Sequence, residues 1–143
     1  MIIGIIIIWV CWLFYDGGKT YGMFTVRANA SPKIFENTFL AGAAGGLTAF
    51  FFKPMLFKIY KKVSWFELKT LVNGIFAGLV SISCGCDRVE PWAAVCIGII
   101  GAFVYIKFCL FLKKKEIDDP LEGSAVHMAC GIWGLVASGC FDN

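Results

Sequence analysis

The sequence predicts an all-α integral membrane protein of five spanning helices, and three observations carry that expectation. First, 59% of the 143 residues are hydrophobic and only 16% are charged, with a mean hydropathy of +0.76. A soluble domain is about a quarter charged. Second, the apolar residues fall into five runs separated by charged connections. Third, the strict in-out alternation of a membrane barrel is absent. Lipid offers no partner to a free backbone amide, so each run should form a helix, which satisfies its own.

The first run, residues 2–15, is IIGIIIIWVCWLFY. It is shorter than the ~20 residues of a full span. The helix either continues a turn beyond Asp16 or belongs to a longer one. It lacks the basic start and small-residue cleavage site of a signal peptide. The second run, residues 35–57, carries AGAAGG, and the third, residues 66–85, carries GIFAG. Small residues at such spacing let helix backbones approach closely. The fourth run covers residues 91–112. The fifth, residues 120–141, follows IDDPLE. There Asp118 and Asp119 precede Pro120; Asp119 suits an N-cap and Pro120 the first helical position. Glu122 then falls in the first turn, where the helix dipole favours a carboxylate. No tandem repeat or low-complexity linker divides the chain, so residues 1–143 read as one membrane domain.

The charges orient these helices. One connection holds Lys53, Lys58, Lys61, Lys62 and Lys69, and another holds Lys107, Lys113, Lys114 and Lys115. The other two hold only Lys19, Arg27, Lys33 and Arg88. The positive-inside rule puts the Lys-rich connections in the cytoplasm. Five crossings then leave the N-terminus cytoplasmic and the C-terminus outside. The net charge of +3 sits in these connections and forms no basic, aromatic-interleaved patch, so no nucleic-acid partner is expected. Of the seven cysteines, five lie in apolar runs and read as small hydrophobes. Cys84 and Cys86 alone offer too few ligands for a metal. No cofactor, metal or enzymatic chemistry is expected.

His127 is the only histidine. Helical spacing places it near the side of Gly123, Cys130, Gly131, Gly134 and Ser138. An ionisable residue within a span marks an ion or proton path by default; the competing reading is a packed imidazole bonded to a carbonyl. In WLFYDGGKTYG, Trp12, Phe14 and Tyr15 suit either a membrane interface or an aromatic rim that attracts ammonium-type cations. Asp16 and Lys19 are neighbours there and can offset each other. GGKT lacks the first glycine and the soluble strand of a phosphate-binding loop.

DDPLEGSAVHMACGIWG resembles the segment carrying the second pore histidine of the ammonium transporter family, Amt/Mep/Rh. VNGIFAGLVSISCGCDRVEPWAAVCIGIIGAFVY looks like the two preceding helices and their outer turn. WLFYDGGKTYG is similar to the family's WFGFNxGS stretch, and ENTFLAGAAGGLTAFFF to the helix after it. The resemblance covers nearly the whole chain and corresponds to helices six to ten of an eleven-helix fold, whose first ten helices form two inverted halves around a pore. It implies ammonium transport across a membrane, with the plasma membrane the expected location. The ion loses its proton, and ammonia crosses a hydrophobic pore past two histidines.

His127 matches the second of these histidines; the first belongs to the other half. Tyr15 matches the inner gate aromatic and Trp12 a nearby pore aromatic. Lys19 stands where the family has a serine in its outer ion site, Asp16 replaces an asparagine, and Met128 replaces a glycine. The resemblance implies ammonium or ammonia as ligand, the lipid bilayer as surroundings, and oligomers of the family's trimeric kind or a complementary N-terminal half as partners. A partial chain should not form a complete pore alone. The alternative function is a non-transporting structural or regulatory subunit that packs against full-length relatives.

Overall fold

The computed structural model describes residues 1–19, 31–59 and 67–142. Among these described residues are five α-helices: α1 (Ile2–Gly18), α2 (Ser31–Ile59), α3 (Leu68–Ile82), α4 (Pro91–Lys114) and α5 (Cys130–Cys140). A π-helical turn, Ser124–Ala129, runs directly into α5. Arg27, Lys61 and Lys62, which entered the charge pattern, lie outside the described residues.

α1 continues past Tyr15 to Gly18, two residues beyond Asp16, and so takes Asp16 into the helix. α2 is longer than expected at both ends. Lys53, counted above among the connection lysines, lies inside α2 and is buried. The correction has a physical cause: a lysine interior to a helix is tolerated when a carboxylate from another element meets it. α4 opens with Pro91 at its first position and closes with Lys113 and Lys114 in its last turn, where cations suit the dipole.

α2 is the hub, packing against α1, α3 and α4, while α5 packs on α3 and α4. The contacts are close because the facing residues are small. A methyl group on Gly45 would meet the Gly74 carbonyl at 2.6 Å, and one on Gly78 would overlap the Ala41 carbonyl. The AGAAGG and GIFAG stretches thus meet each other across α2 and α3. Two of the three buried clusters draw on α2. One holds Ala49, Ala77, Ala102, Tyr105, Ala125 and Cys130; the other holds Ile34, Ala41, Ile82, Ala93, Ile97 and Ala137.

The start of the last helix differs from expectation. Pro120 lies in a turn closed by the Glu122 amide on the Asp119 carbonyl at 3.0 Å, and Glu122 adopts a φ of 59°. The helical segment begins only after it. Asp119 still caps, from four residues before the first helical residue: its carboxylate accepts from the Gly123 and Ser124 amides, both at 3.0 Å, and from the Ser124 hydroxyl. The hydroxyl bond above all, with the two amides, holds this carboxyl below its ordinary range. Asp118 is exposed and takes no part in these bonds.

Glu122 is not a dipole-facing surface carboxylate either. It is buried and accepts from Lys53 Nζ at 2.8 Å to each oxygen, from Asn73 Nδ2 at 3.0 Å and from the Tyr105 hydroxyl. Lys53 also donates to the Tyr105 oxygen at 2.7 Å. Three helices are thereby tied to the turn that launches the histidine segment. Lys69 adds a bond to the Pro120 carbonyl at 2.6 Å.

Candidate functional site

Two groups of candidate residues emerge on either side of α3. The first is on α1. Trp12 is half-buried, with its ring 6.1 Å from Tyr15 in an edge-on arrangement and 6.3 Å from Phe76 of α3. Its indole N–H donates to Ser83 Oγ at 2.8 Å, which ties α1 to the end of α3. Tyr15 is exposed.

Asp16 and Lys19 come together, as their spacing allows. Lys19 Nζ lies 3.1 Å from Asp16 Oδ1, 3.2 Å from the Ser83 carbonyl and 4.4 Å from the Tyr15 ring centroid. Asp16, however, does not line an open vestibule: it is 0% exposed. Its Oδ2 accepts from Thr38 at 3.1 Å and lies 3.3 Å from Ser83 Oγ. Burial is tolerable because donors from three elements surround the carboxylate.

This end is fixed by the turn between α3 and α4. Asn37 of α2 donates to the carbonyls of Cys86 and Val89 at 3.0 and 2.8 Å. Cys84 is exposed whereas Cys86 is buried, so the CGC pair presents its thiols to different surroundings. Burial pushes the Cys86 thiol up to about 12, which keeps it protonated at neutral pH.

The second group is the π-helical turn. His127 is exposed within it, as are the adjacent Met128 and the downstream Ile132 and Leu135. Cys130 and Gly134, expected near the histidine's side, instead point inward: Cys130 is fully buried, and a methyl group on Gly134 would meet the Ser81 carbonyl at 2.7 Å. The π register explains the separation. Each residue of a wide i→i+5 turn rotates by less than in an α-helix, so residues three apart diverge further. The Cys130 thiol lies 3.4 Å from both the Gly101 and Ala125 carbonyls, anchoring the junction between the two registers.

α1 makes no contact with the π turn or α5 among the described residues. Between them one stripe of α3, Phe76, Val80 and Ser83, stays half-buried. α3 thus lies between α1, which carries Trp12 and Tyr15, and the segment that carries His127. The sequence singles out the histidine and the aromatics as candidates. It missed Ser83, Thr38 and the buried Lys53–Glu122 pair, whose partners lie up to 71 residues apart in the chain. A lysine flanked by FFF and PMLF was the one local signal available.

Comparison with known proteins gives this arrangement a context. The chain is 33% identical to ammonium transporter 3 of Dictyostelium discoideum over 142 residues, covering 99% of this chain and 32% of that protein. It is 32% identical to ammonium transporter 1 member 1 of Solanum lycopersicum over 150 residues, covering 99% and 30%. The crystal structure of Saccharomyces cerevisiae Mep2 superposes with a TM-score of 0.83 at 27% identity, covering 99% of this chain and 30% of that one. The chain therefore spans about 30% of the length of these relatives. The likeness extends to the multi-pass membrane architecture. The profile of the Ammonium Transporter Family matches residues 1–143, and this chain belongs to that family.

Proposed function

We propose that this chain forms one wall of an ammonia-conducting pore, acting in ammonium transport rather than as an enzyme. The observation that carries the reading is His127, an imidazole displayed on a π turn across α3 from the Trp12–Tyr15 pair. Moving an intact ammonium ion through hydrocarbon is costly, whereas neutral ammonia avoids most of that cost. A neutral imidazole can donate to or accept from ammonia and relay a proton. Tyr15 and Trp12 offer ring faces to the cation before it loses that proton.

A second wall completes the pore in this reading. The exposed apolar residues beside His127, including Met128, Ile132 and Leu135, suit a complementary helical half or a further copy in an oligomer. The Lys-rich end faces the cytoplasm, with the N-terminus inside and the C-terminus outside, in the plasma membrane.

Methylammonium uptake in transport-deficient cells tests this. Coexpression of the chain with a family N-terminal half should restore uptake, and His127→Ala should abolish it. Full uptake with His127→Ala would sink the proposal. A second reading, a regulatory subunit, draws support from Lys19, whose fixed positive charge opposes a nearby cation. In that case the chain alters uptake only when a full-length relative is present, and His127→Ala leaves the alteration intact.

A further inference from the structure

The turn that launches the histidine segment is clamped residue by residue. Lys69 of α3 donates to the Pro120 carbonyl at 2.6 Å, and Asn73, one turn on, donates to the Leu121 carbonyl at 3.2 Å. The Glu122 carboxylate then accepts from Lys53 of α2, Asn73 of α3 and the Tyr105 hydroxyl of α4. Pro120, Leu121 and Glu122 are thus each held by helices outside their own segment. Glu122 meanwhile keeps a φ of 59°, a left-handed backbone that a residue with a Cβ seldom adopts. Such a conformation persists where its surroundings over-determine it, and these bonds supply that.

The far end of the segment is fixed as well. Cys130 is fully buried with its thiol against the Gly101 carbonyl, and Gly134 lies against the Ser81 carbonyl. The Val126 amide donates to the Glu122 carbonyl at 3.0 Å, so a backbone bond into the π turn starts from the clamped residue. Between these two fixed ends the chain carries one residue more than an α-helical path would place there. The wide turn takes it up. Ala125 and Val126 stay buried, while His127 and Met128 face outward.

We infer that the buried Lys53–Asn73–Tyr105–Glu122 cluster positions the His127 imidazole. By pinning Glu122 it keeps the additional residue inside the π turn rather than in the turn before it. All four act through the Glu122 backbone and none through contact with the imidazole, so they are positioning residues. Once Glu122 is released, the left-handed turn opens, takes up that residue and lets the segment close in α register. His127 then swings by up to about 100°, the step of one residue around a helix. The importance of that aim rests on the reading of His127 as a pore imidazole, but the aim itself belongs to the folded chain and is observable without transport.

The chain has a single histidine, which makes the test direct. The full chain, isotope-labelled at histidine and held in detergent micelles, gives one imidazole signal by nuclear magnetic resonance. Its position is recorded, together with its broadening by a paramagnetic probe dissolved in the detergent. Lys53→Met/Glu122→Leu, which strands no charge, should move the signal and reduce its broadening as the imidazole leaves the outer face. Asn73→Leu/Tyr105→Phe, which keeps the ion pair and strips two donors, should move it part of the way and serves should the first variant fold poorly. Lys53→Met/Glu122→Gln keeps an acceptor for Asn73 and Tyr105 and should return the signal toward its native place. Gly78→Val, which disturbs the α2–α3 contact instead, should leave it unmoved. An unmoved signal in the folded cluster variants, or an equal movement in Gly78→Val, overturns the inference. A moved signal with unchanged methylammonium uptake by the coexpressed halves would count against the pore reading alone.

Discussion

The two ends of this bundle each hold a lysine against a carboxylate and a tyrosine, and they do so to different effect. At one end Lys53 meets Glu122 and Tyr105, from elements 69 and 52 residues away, and is buried. At the other Lys19 meets Asp16 and Tyr15 within its own helix, and its side chain is 38% exposed. The same three chemical groups join helices in the first case and occupy a local cradle in the second. Sequence separation and burial, rather than residue type, decide which. A cation that bonds beside its own helix and to one further carbonyl, and that reaches water, can leave; one enclosed by three helices cannot leave without opening them.

Breaking the inner pair should give the largest effect. Lys53→Ala leaves Glu122 buried without its charge partner, a change that costs about 3–5 kcal/mol; chemical unfolding in detergent, followed by circular dichroism, should show it. The double variant Lys53→Met/Glu122→Leu should recover part of the loss, since it leaves neither charge stranded. If the single and double variants are equally unstable, the pair is not what holds this end.

Midway between the ends, Gly78→Val drives a side chain into the Ala41 carbonyl. Overpacking of this kind costs about 1–3 kcal/mol, measurable in the same experiment, while Ala substitution at the open position Gly18 should be nearly silent. Next in size is the cap: Asp119→Ala should cost about 1 kcal/mol. Because the folded state holds the Asp119 carboxyl below its ordinary value of 3.8, the contribution is complete above that pH and fades as pH falls through the folded value. The stability gap between native and variant should therefore narrow in strong acid and stay constant near neutrality.

The outer pair should matter least to stability. Lys19→Ser should cost under about 1 kcal/mol, since the exposed ammonium is partly screened by water and Asp16 keeps Thr38 as a donor. A loss comparable to that of Lys53→Ala would erase the contrast between the ends.

How far the sequence foretold this arrangement depends on the reach of each interaction. Apolar runs and small-residue stretches are local patterns, and they led to five helices and to close packing between backbones. The Asp16–Lys19 pair spans three residues and was legible for the same reason. The Lys53–Glu122 pair was not, because a charge within an apolar run looks like the edge of a connection until its partner is seen. The helix start was displaced from Pro120 because Glu122 is drawn inward by Lys53, Asn73 and Tyr105, a pull that no local capping rule contains. The aim of His127 depended on hydrogen-bond register, to which composition is blind.

That register has a consequence for how this segment tolerates change in length. A π turn holds an extra residue relative to an α-helical path of the same height, so the Ser124–Ala129 segment stores a spare position. Removing one residue there would let the turn relax to α geometry without shortening the span or moving α5 against its neighbours. What would change is the compass bearing of the imidazole. Within this one stretch, a deletion acts as a rotation, and lineages of such chains can re-aim a side chain without rebuilding the helix that carries it.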